Sequence, residues 1–400
     1  MTETEILIIG GGIAGASTSY HLAQNGRRVT LLERSNIASE ASGVNAGAIG
    51  AIGWGNVPSL ESYLTMGSLE IFKSLQAEFG YDIEFRRSGS LQAIQTEAEH
   101  IYIQKWVLEL RAQGYTVDLL STPEAQMIEP ALSPALLGCL YMPLRAQADP
   151  TKATLAFASA AERSGAHILL HHEVTGIQSD RDKSYRVETS QGSYQAAALV
   201  IAAGAWCGEI GAMRLGLRIP IVPVRGQMWA SEPLPPRLFH TISAAESSLH
   251  WHTSPGSDAQ SPPYLTHRGH QRLTRHLYGR QTRTGEIIFG GDRQMVEFQK
   301  RPDSTGIEVN HGHAAEVLPF LRELPVARTW AGLMPFPLDG APIIGRIAQH
   351  PPLYIVSGLA SSGFGRGPMA GKLLAEYIHI GHRPHVLAEA DPARCVTQVA

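Results

Sequence analysis

The feature that most restricts the fold lies at the start of the chain. Glu5–Ile9 is a short apolar run that ends in Gly10-Gly11-Gly12-Ile13-Ala14-Gly15. Such a run reads as a parallel strand buried on both faces. Ala16–Gln24 reads as a helix opening on small residues and stopping at Asn25-Gly26, and Arg28–Leu32 reads as a second strand closed by Glu33. Strand, glycine turn, helix, strand and acid in this order form a dinucleotide-binding unit. Gly10 permits the tight turn, Gly12 lets backbone approach a pyrophosphate, and Gly15 lets the helix pack closely on the strand. The helix start offers N–H groups and partial positive charge to phosphate. An acid at position 33 can accept hydrogen bonds from both ribose hydroxyls and argues against a 2′-phosphate, so NADP is disfavoured.

Composition narrows the class. With 400 residues, 40 glycines, 25 prolines, 44% hydrophobic and 17% charged residues, the chain is expected to be a two-domain α/β protein rich in tight turns. Its formal charge of −3, without a basic run, argues against nucleic acid as a partner. Cys139, Cys207 and Cys395 are odd in number and far apart, which fits neither a disulfide framework nor a zinc site. The acidic Met1–Glu5 lacks the basic start of a secretory signal, and no apolar run is long enough to span a bilayer. The expected home is the cytoplasm, with peripheral membrane attachment left open.

The stretch after the second strand distinguishes NAD from FAD. Ser39–Ala48 is a run of small residues too rich in glycine for a stable helix, as if something large lies against its backbone. Further along, Asp149-Pro150 marks a helix start. His167–Val174 reads as a strand, and Leu199–Ala203 as a buried strand turning at Gly204-Ala205-Trp206. Near the end come Trp330-Ala-Gly332-Leu-Met334-Pro335, then Leu353–Ser357, a glycine loop over Gly358–Gly367 and a helix over Met369–Ile380.

With GGGIAGAS, ASGVNAG, QADPTK (Gln147–Lys152), VIAAGAW, PVRGQM (Pro223–Met228), GRQTRTGEIIFGG (Gly279–Gly291) and WAGLMPFPLDGAPIIG in place, nearly the whole chain resembles the FAD-dependent amine and amino-acid oxidoreductases. These include D-amino-acid oxidase, glycine oxidase, sarcosine oxidase and the flavin subunits of opine and proline dehydrogenases. The resemblance implies an α/β fold: a discontinuous Rossmann-like FAD domain at 1–85, 146–222 and 326–400, and a mostly antiparallel substrate domain at 86–145 and 223–325. It places Gly10, Gly12, Ile13, Ala14 and Gly15 on the pyrophosphate, and Glu33 with Arg34 at the adenosine. Ser42, Asn45, Ala46 and Gly47 fall along the diphosphate and flavin edge, and Val174 beside the adenine. Ala203, Gly204, Trp206 and Gly332 fall against the cofactor, and Gly358, Ser361, Gly363, Phe364 and Gly365 around the isoalloxazine.

The implied reaction is hydride transfer from a carbon bearing a neutral amine to FAD, leaving an imine that water hydrolyses. The block after the second strand has no histidine and the C-terminal motifs have no cysteine, so FAD is expected to be non-covalent. Where glycine oxidase and D-amino-acid oxidase carry a carboxylate-gripping arginine, this chain has Met334, which removes bidentate recognition there. Candidate replacements are Arg225, Arg280, Arg283 and Arg366. His250 and His252, on the strand-like Leu249-His-Trp-His, are candidate substrate contacts. With His267, His270 and His276 they crowd a Ser/Pro/Gly-rich region, but no accompanying cysteine or carboxylate set argues for a metal. Trp54, Trp206, Trp229 and Trp251 are expected to pack the core or the flavin. A flavin subunit passing electrons to a partner, and an enzyme of hydroxy acids, remain as alternatives.

Overall fold

The computed structural model describes residues 2–50, 52, 55, 57–180, 184–254, 260–348 and 350–399. Two eight-stranded sheets organise it. In the first, Ile343–Arg346, Leu353–Ser357, Gly192–Ile201, Thr2–Ile9, Val29–Leu32 and His167–Leu169 lie side by side, and a hairpin of Val174–Ser179 and Tyr185–Thr189 extends off Gly192–Ile201. The central pairings are parallel, with Ile9 opposite both Ile201 and Leu32. Ile6, Leu7, Ile8, Leu31, Leu199, Val200 and Ile201 are at most 1% exposed, as expected of strands covered on both faces.

Three helices cover one face of this sheet. Ile13–Gln24 packs between Pro150–Arg163 and the C-terminal helix Gly363–Ile380. Asp149 caps the second of these, its carboxylate accepting from Lys152 N–H at 2.7 Å, with Pro150 in the first turn. The C-terminal helix starts six residues earlier than the sequence suggests, at Gly363 instead of Met369, and carries Pro368 inside it. Its glycines serve close packing: a Cβ on Gly367 would lie 2.6 Å from Ile13 Cγ2, and one on Gly371 2.8 Å from the Ala14 carbonyl. The expected strand His167–Val174 is shorter, ending at Leu169. Turn residues come next, and a separate strand begins at Val174.

The second sheet runs in the order Arg328–Pro337, Ile221–Ala230, Ile287–Gly290, Tyr278–Gln281, Thr241–Ala244, Ser90–Ile94, Gly138–Met142 and Asp118–Leu120. All its pairings are antiparallel except that of Thr241–Ala244 with Ser90–Ile94. Arg328–Pro337, expected with the nucleotide-binding segment that begins at 326, pairs along its whole length with Ile221–Ala230 in this sheet. Leu249-His-Trp-His is not a strand. It belongs to the helix Glu246–Thr253, because four residues of alternating character carry too little periodicity to separate the two states. Trp229, Phe289, Leu277 and Leu318 form the second core beneath the sheet. No helix of the described residues is long and apolar enough to cross a membrane. Cys139 and Cys207 are buried, Cys395 is half-buried, and all three are free thiols.

Candidate active site

A cavity of about 900 Å³ runs from the glycine turn of the first sheet to the face of the second. At its first end Gly10 adopts φ +115°, and a Cβ there would lie 2.5 Å from the Ala202 carbonyl oxygen. A Cβ on Gly15 would come within 2.1 Å of the Gly10 oxygen, so this glycine is needed for the helix to sit on its strand. Glu33, 8% exposed, accepts from Gly11 N–H at 2.7 Å and from Ser35 N–H at 2.8 Å. The carboxylate therefore braces the turn while also lining the cavity. Ser42 Oγ accepts from Ile13 N–H at 2.9 Å and ties the small-residue loop to the helix start.

That loop is held from behind. Asn45 accepts from Gly47 N–H at 2.7 Å and donates to the Ala41 and Ser42 carbonyls at 3.0 and 3.1 Å. Arg280, 2% exposed, donates to the carbonyls of Ala46 and, at 3.1 Å, Ala148, and to Gln147 Oε1 at 3.2 Å. Burial pushes its guanidinium down to about 10. A Cβ on Gly47 would meet the Ala148 oxygen at 1.9 Å, so the chain crosses there with no room for a side chain. On the other flank the Arg34 guanidinium lies 4.0 Å from the Trp206 ring centroid, and the Phe298 ring 5.5 Å from it.

The expected residues Gly10, Gly12, Ile13, Ala14, Glu33, Arg34, Ser42, Asn45 and Val174 all line this cavity, as do Ala203, Gly204, Trp206, Gly332, Ser361, Gly363, Phe364 and Gly365. Gly15, Ala46, Gly47 and Gly358 stand behind its wall. Gly358 has φ +73° and packs against Ile343 and Pro337. Among the substrate candidates the cavity takes Met334 and His252. His252 has its ring 5.0 Å from that of Tyr102.

None of the four candidate arginines lines the cavity, and each has partners elsewhere. Arg225 donates to the Arg301 carbonyl at 2.7 Å and to Gln294 Oε1 at 2.8 Å, fastening two loops. Arg280 holds the loop already described. Arg283 is exposed and paired with Asp82 at 2.9 Å. Arg366, 2% exposed, is bonded to Glu61 Oε1 at 2.5 Å and to Thr65 Oγ1 at 3.4 Å. Burial lowers its pKa, with Glu61 opposing that shift. His250 bonds locally with Ser254 and lies outside the cavity wall. Trp54 lies outside the described residues. Trp229 is core, its indole N–H donating to Asn310 Oδ1 at 2.8 Å. Among the described residues no three or more His, Cys, Asp or Glu side chains are grouped to hold a metal ion.

The wall at the second end includes Gln92, Tyr264, Tyr278 and Arg293, which sequence reasoning passes over, together with Trp251, expected there only as a packing aromatic, and His276, noted only as one of the crowded histidines. Tyr278 donates to Met228 Sδ at 3.4 Å, and burial pushes its hydroxyl up to about 12. The signal for Arg293 was available. Asp292-Arg293 comes after a buried strand and Gly290-Gly291, and a charged pair at the end of such a strand faces either a partner or a site.

The geometry accepts a dinucleotide. At Gly10 the main chain occupies the space a side chain would need, and Gly363–Gly365 open an eighteen-residue helix toward the cavity. The family model for "FAD dependent oxidoreductase" matches residues 5–377, and the chain belongs to that family. FAD is its cofactor. The chain is 27% identical over 380 residues to glycine oxidase of Geobacillus kaustophilus, covering 94% of this chain and 92% of that one. It is 26% identical over 444 residues to hydrogen cyanide synthase subunit HcnC of Pseudomonas aeruginosa, covering 99% and 98%. The crystal structure of L-proline dehydrogenase from P. horikoshii superposes with a TM-score of 0.83 at 26% identity, covering 98% of each chain.

Proposed function

We propose that this protein oxidises the carbon–nitrogen bond of an amino acid or secondary amine, giving an imine that water hydrolyses. The observation that carries this reading is the continuous cavity joining the glycine turn to a chamber walled by Met228, Tyr278, Arg293 and Met334. FAD, when bound, supplies the hydride acceptor. The names of the relatives, glycine oxidase and L-proline dehydrogenase, support an amine-bearing substrate.

In this reading Gly10, Gly12, Ile13 and Ala14 hold the pyrophosphate and Glu33 the ribose, with Val174 and Trp206 flanking the adenine end. Ser42 and Asn45 shape the loop along the diphosphate. The first turn at Gly363–Gly365 would present N–H groups to the flavin and favour negative charge there. The first sheet and its helices form the FAD domain, and the second sheet supplies the substrate chamber. The protein's own share of the chemistry is to orient the carbon–nitrogen bond, to exclude water and to favour the uncharged amine. The apolar wall of Met228 and Met334 serves the last two tasks.

Anaerobic mixing of the yellow holoprotein with a panel of amino acids, secondary amines and hydroxy acids tests this. Bleaching by an amine, with release of ammonia or a primary amine, is the expected result. Bleaching by hydroxy acids alone would overturn it. The likeness to HcnC favours a second arrangement, in which the chain is a flavin subunit that passes electrons to a partner. Slow reoxidation by oxygen and fast reoxidation by an artificial acceptor would support that arrangement.

A further inference from the structure

The oxidation as derived makes no use of Arg293, a cation in the chamber wall. Arg293 enters that wall directly after Gly291 and Asp292, with 4% of its surface exposed. Its backbone is fixed from both sides: its N–H donates to Thr266 Oγ1 at 2.7 Å, and its carbonyl accepts from Thr266 N–H at 2.9 Å. The guanidinium carbon lies 4.1 Å from the Trp251 ring centroid. Nη1 reaches the Tyr264 carbonyl at 3.4 Å and Nη2 reaches His276 Nε2 at 3.2 Å.

A guanidinium only donates, so Nε2 of His276 is the acceptor, and Nδ1 carries the proton and donates to Ser247 Oγ at 2.8 Å. Burial holds His276 well below its ordinary value, which keeps it neutral. Ser247 and His276 therefore orient the fork and bring no charge to it. The neighbouring carboxylate, Asp292, is gripped by both terminal nitrogens of Arg272 and by Gln227 Nε2 at 2.7 Å. Burial pushes Arg293 down to about 9, so it is still a cation at neutral pH, and an anion entering the cavity would offset part of its desolvation. A planar fork laid on an aromatic face and aimed by a neutral histidine suits bidentate recognition of a carboxylate.

We propose that Arg293 binds the carboxylate of the substrate, which makes the oxidised carbon that of an amino acid and not of a simple amine. The identity of the oxidised carbon rests on the reaction proposed above; the anion site itself does not. In this arrangement Met334 and Met228 form an apolar flank and carry none of the recognition of charge.

The test uses holoprotein and benzoate as the probe, read by the change in flavin absorbance, with benzamide as the uncharged control. Wild type should bind benzoate saturably. Arg293→Gln should weaken benzoate by about 30-fold or more while leaving benzamide within about threefold. Arg293→Lys, which keeps the charge and loses the fork, should weaken benzoate about five- to tenfold and stands in if the glutamine variant loses FAD. The proposal is overturned if wild type ignores benzoate, or if benzoate and benzamide weaken together. Reduction by an amino acid and by its amide separates the two readings. Benzoate held through Arg293 with no amine ever bleaching the flavin would sink the oxidation and keep the anchor. Equal bleaching by acid and amide, unchanged in Arg293→Gln, would sink the anchor and keep the oxidation.

Discussion

At the glycine-turn end the cavity wall includes short runs of small residues, Gly10–Ala14, Ala202–Gly204 and the first turn at Gly363–Gly365, braced by Glu33 and Ser42. At the other end it is side chain: Gln92, Trp251, Tyr264, His276, Tyr278, Arg293 and Met334, drawn from separate stretches of the second sheet and the segments around it. A wall of small residues requires them in a fixed local order, and that order is written contiguously. A wall of side chains requires only that distant residues arrive together, which leaves no local signature. The two ends also spend their arginines differently. Arg280 and Arg366 hold main chain and a buried carboxylate, whereas Arg293 faces the chamber.

The largest effect should come from confusing these arginine roles. Arg366 and Glu61 are both nearly fully buried and lie 2.5 Å apart. Arg366→Met strands the carboxylate and should destabilise the protein by about 3–5 kcal/mol. The same variant, if it folds, should bind benzoate as wild type does. Thermal melting and the benzoate titration check the two halves of this statement, and a benzoate-specific defect in a normally stable variant would return Arg366 to the substrate.

Next comes Glu33→Ala. It removes two charge-assisted hydrogen bonds to Gly11 and Ser35 N–H together with the proposed ribose contact. FAD binding should weaken by about 1.5–3 kcal/mol, or roughly 10–150-fold. Apoprotein reconstitution followed by flavin fluorescence measures it. An unchanged dissociation constant would mean that the backbone cradle holds its shape without the acid and that the ribose lies elsewhere. FAD that stays in solution when the protein is precipitated would likewise confirm the expected absence of a covalent link.

The halves should respond alike to acid. His21, on the first helix, and His313, on the helix Ser304–Val317, are each held down to about 4, chiefly by burial, with Lys372 and Arg275 respectively adding to the shift. The folded protein resists protonating them, whereas the unfolded chain takes up protons near 6.5. Their contribution is therefore complete above 6.5 and is lost as pH falls from there toward 4. By pH 5 the loss should be about 2 kcal/mol for each. The unfolding free energy from denaturant melts should fall accordingly between pH 7 and 5, and His21→Gln or His313→Gln should each flatten that pH dependence. A slope flattened by only one of them would show that one half unfolds first.

Legibility followed the same division. Strand, turn, helix and acid at 5–33 were readable because glycine, periodicity and a terminal acid coincide within one short stretch. Asp149-Pro150 was readable because a cap is a local device. The start of the last helix was misplaced since Gly363-Phe-Gly-Arg-Gly-Pro368 looks like a loop until the first helix is seen packed against Gly367 and Gly371. Motif membership is what marks the candidate arginines in the sequence, and it does not separate a residue that faces the cavity from one that stands behind it. Arg280 and Arg293 lie thirteen residues apart on the same hairpin region, yet only the second faces the cavity.

The smallest effect is expected at Met334, and it separates shape from charge in the chamber. Met334 stands opposite Val224 in the ladder, and its methyl lies 3.0 Å from where a Cβ on Gly226 would be. It therefore fills a shallow gap that the missing side chain of Gly226 leaves. Leucine has nearly the same volume and no charge, so Met334→Leu should cost under about 1.5 kcal/mol in stability. If Arg293 carries the carboxylate, benzoate affinity should change by less than about threefold, because the substitution touches only the apolar flank. Any effect should appear instead in the choice among amines, since a stiffer branched side chain accommodates fewer shapes than a thioether. Bleaching rates across a series of N-alkyl amino acids would display that change as a shift in the preferred substituent at constant benzoate affinity. A tenfold loss of benzoate binding in Met334→Leu would place the carboxylate against the thioether and break the division between a charged anchor and an apolar flank.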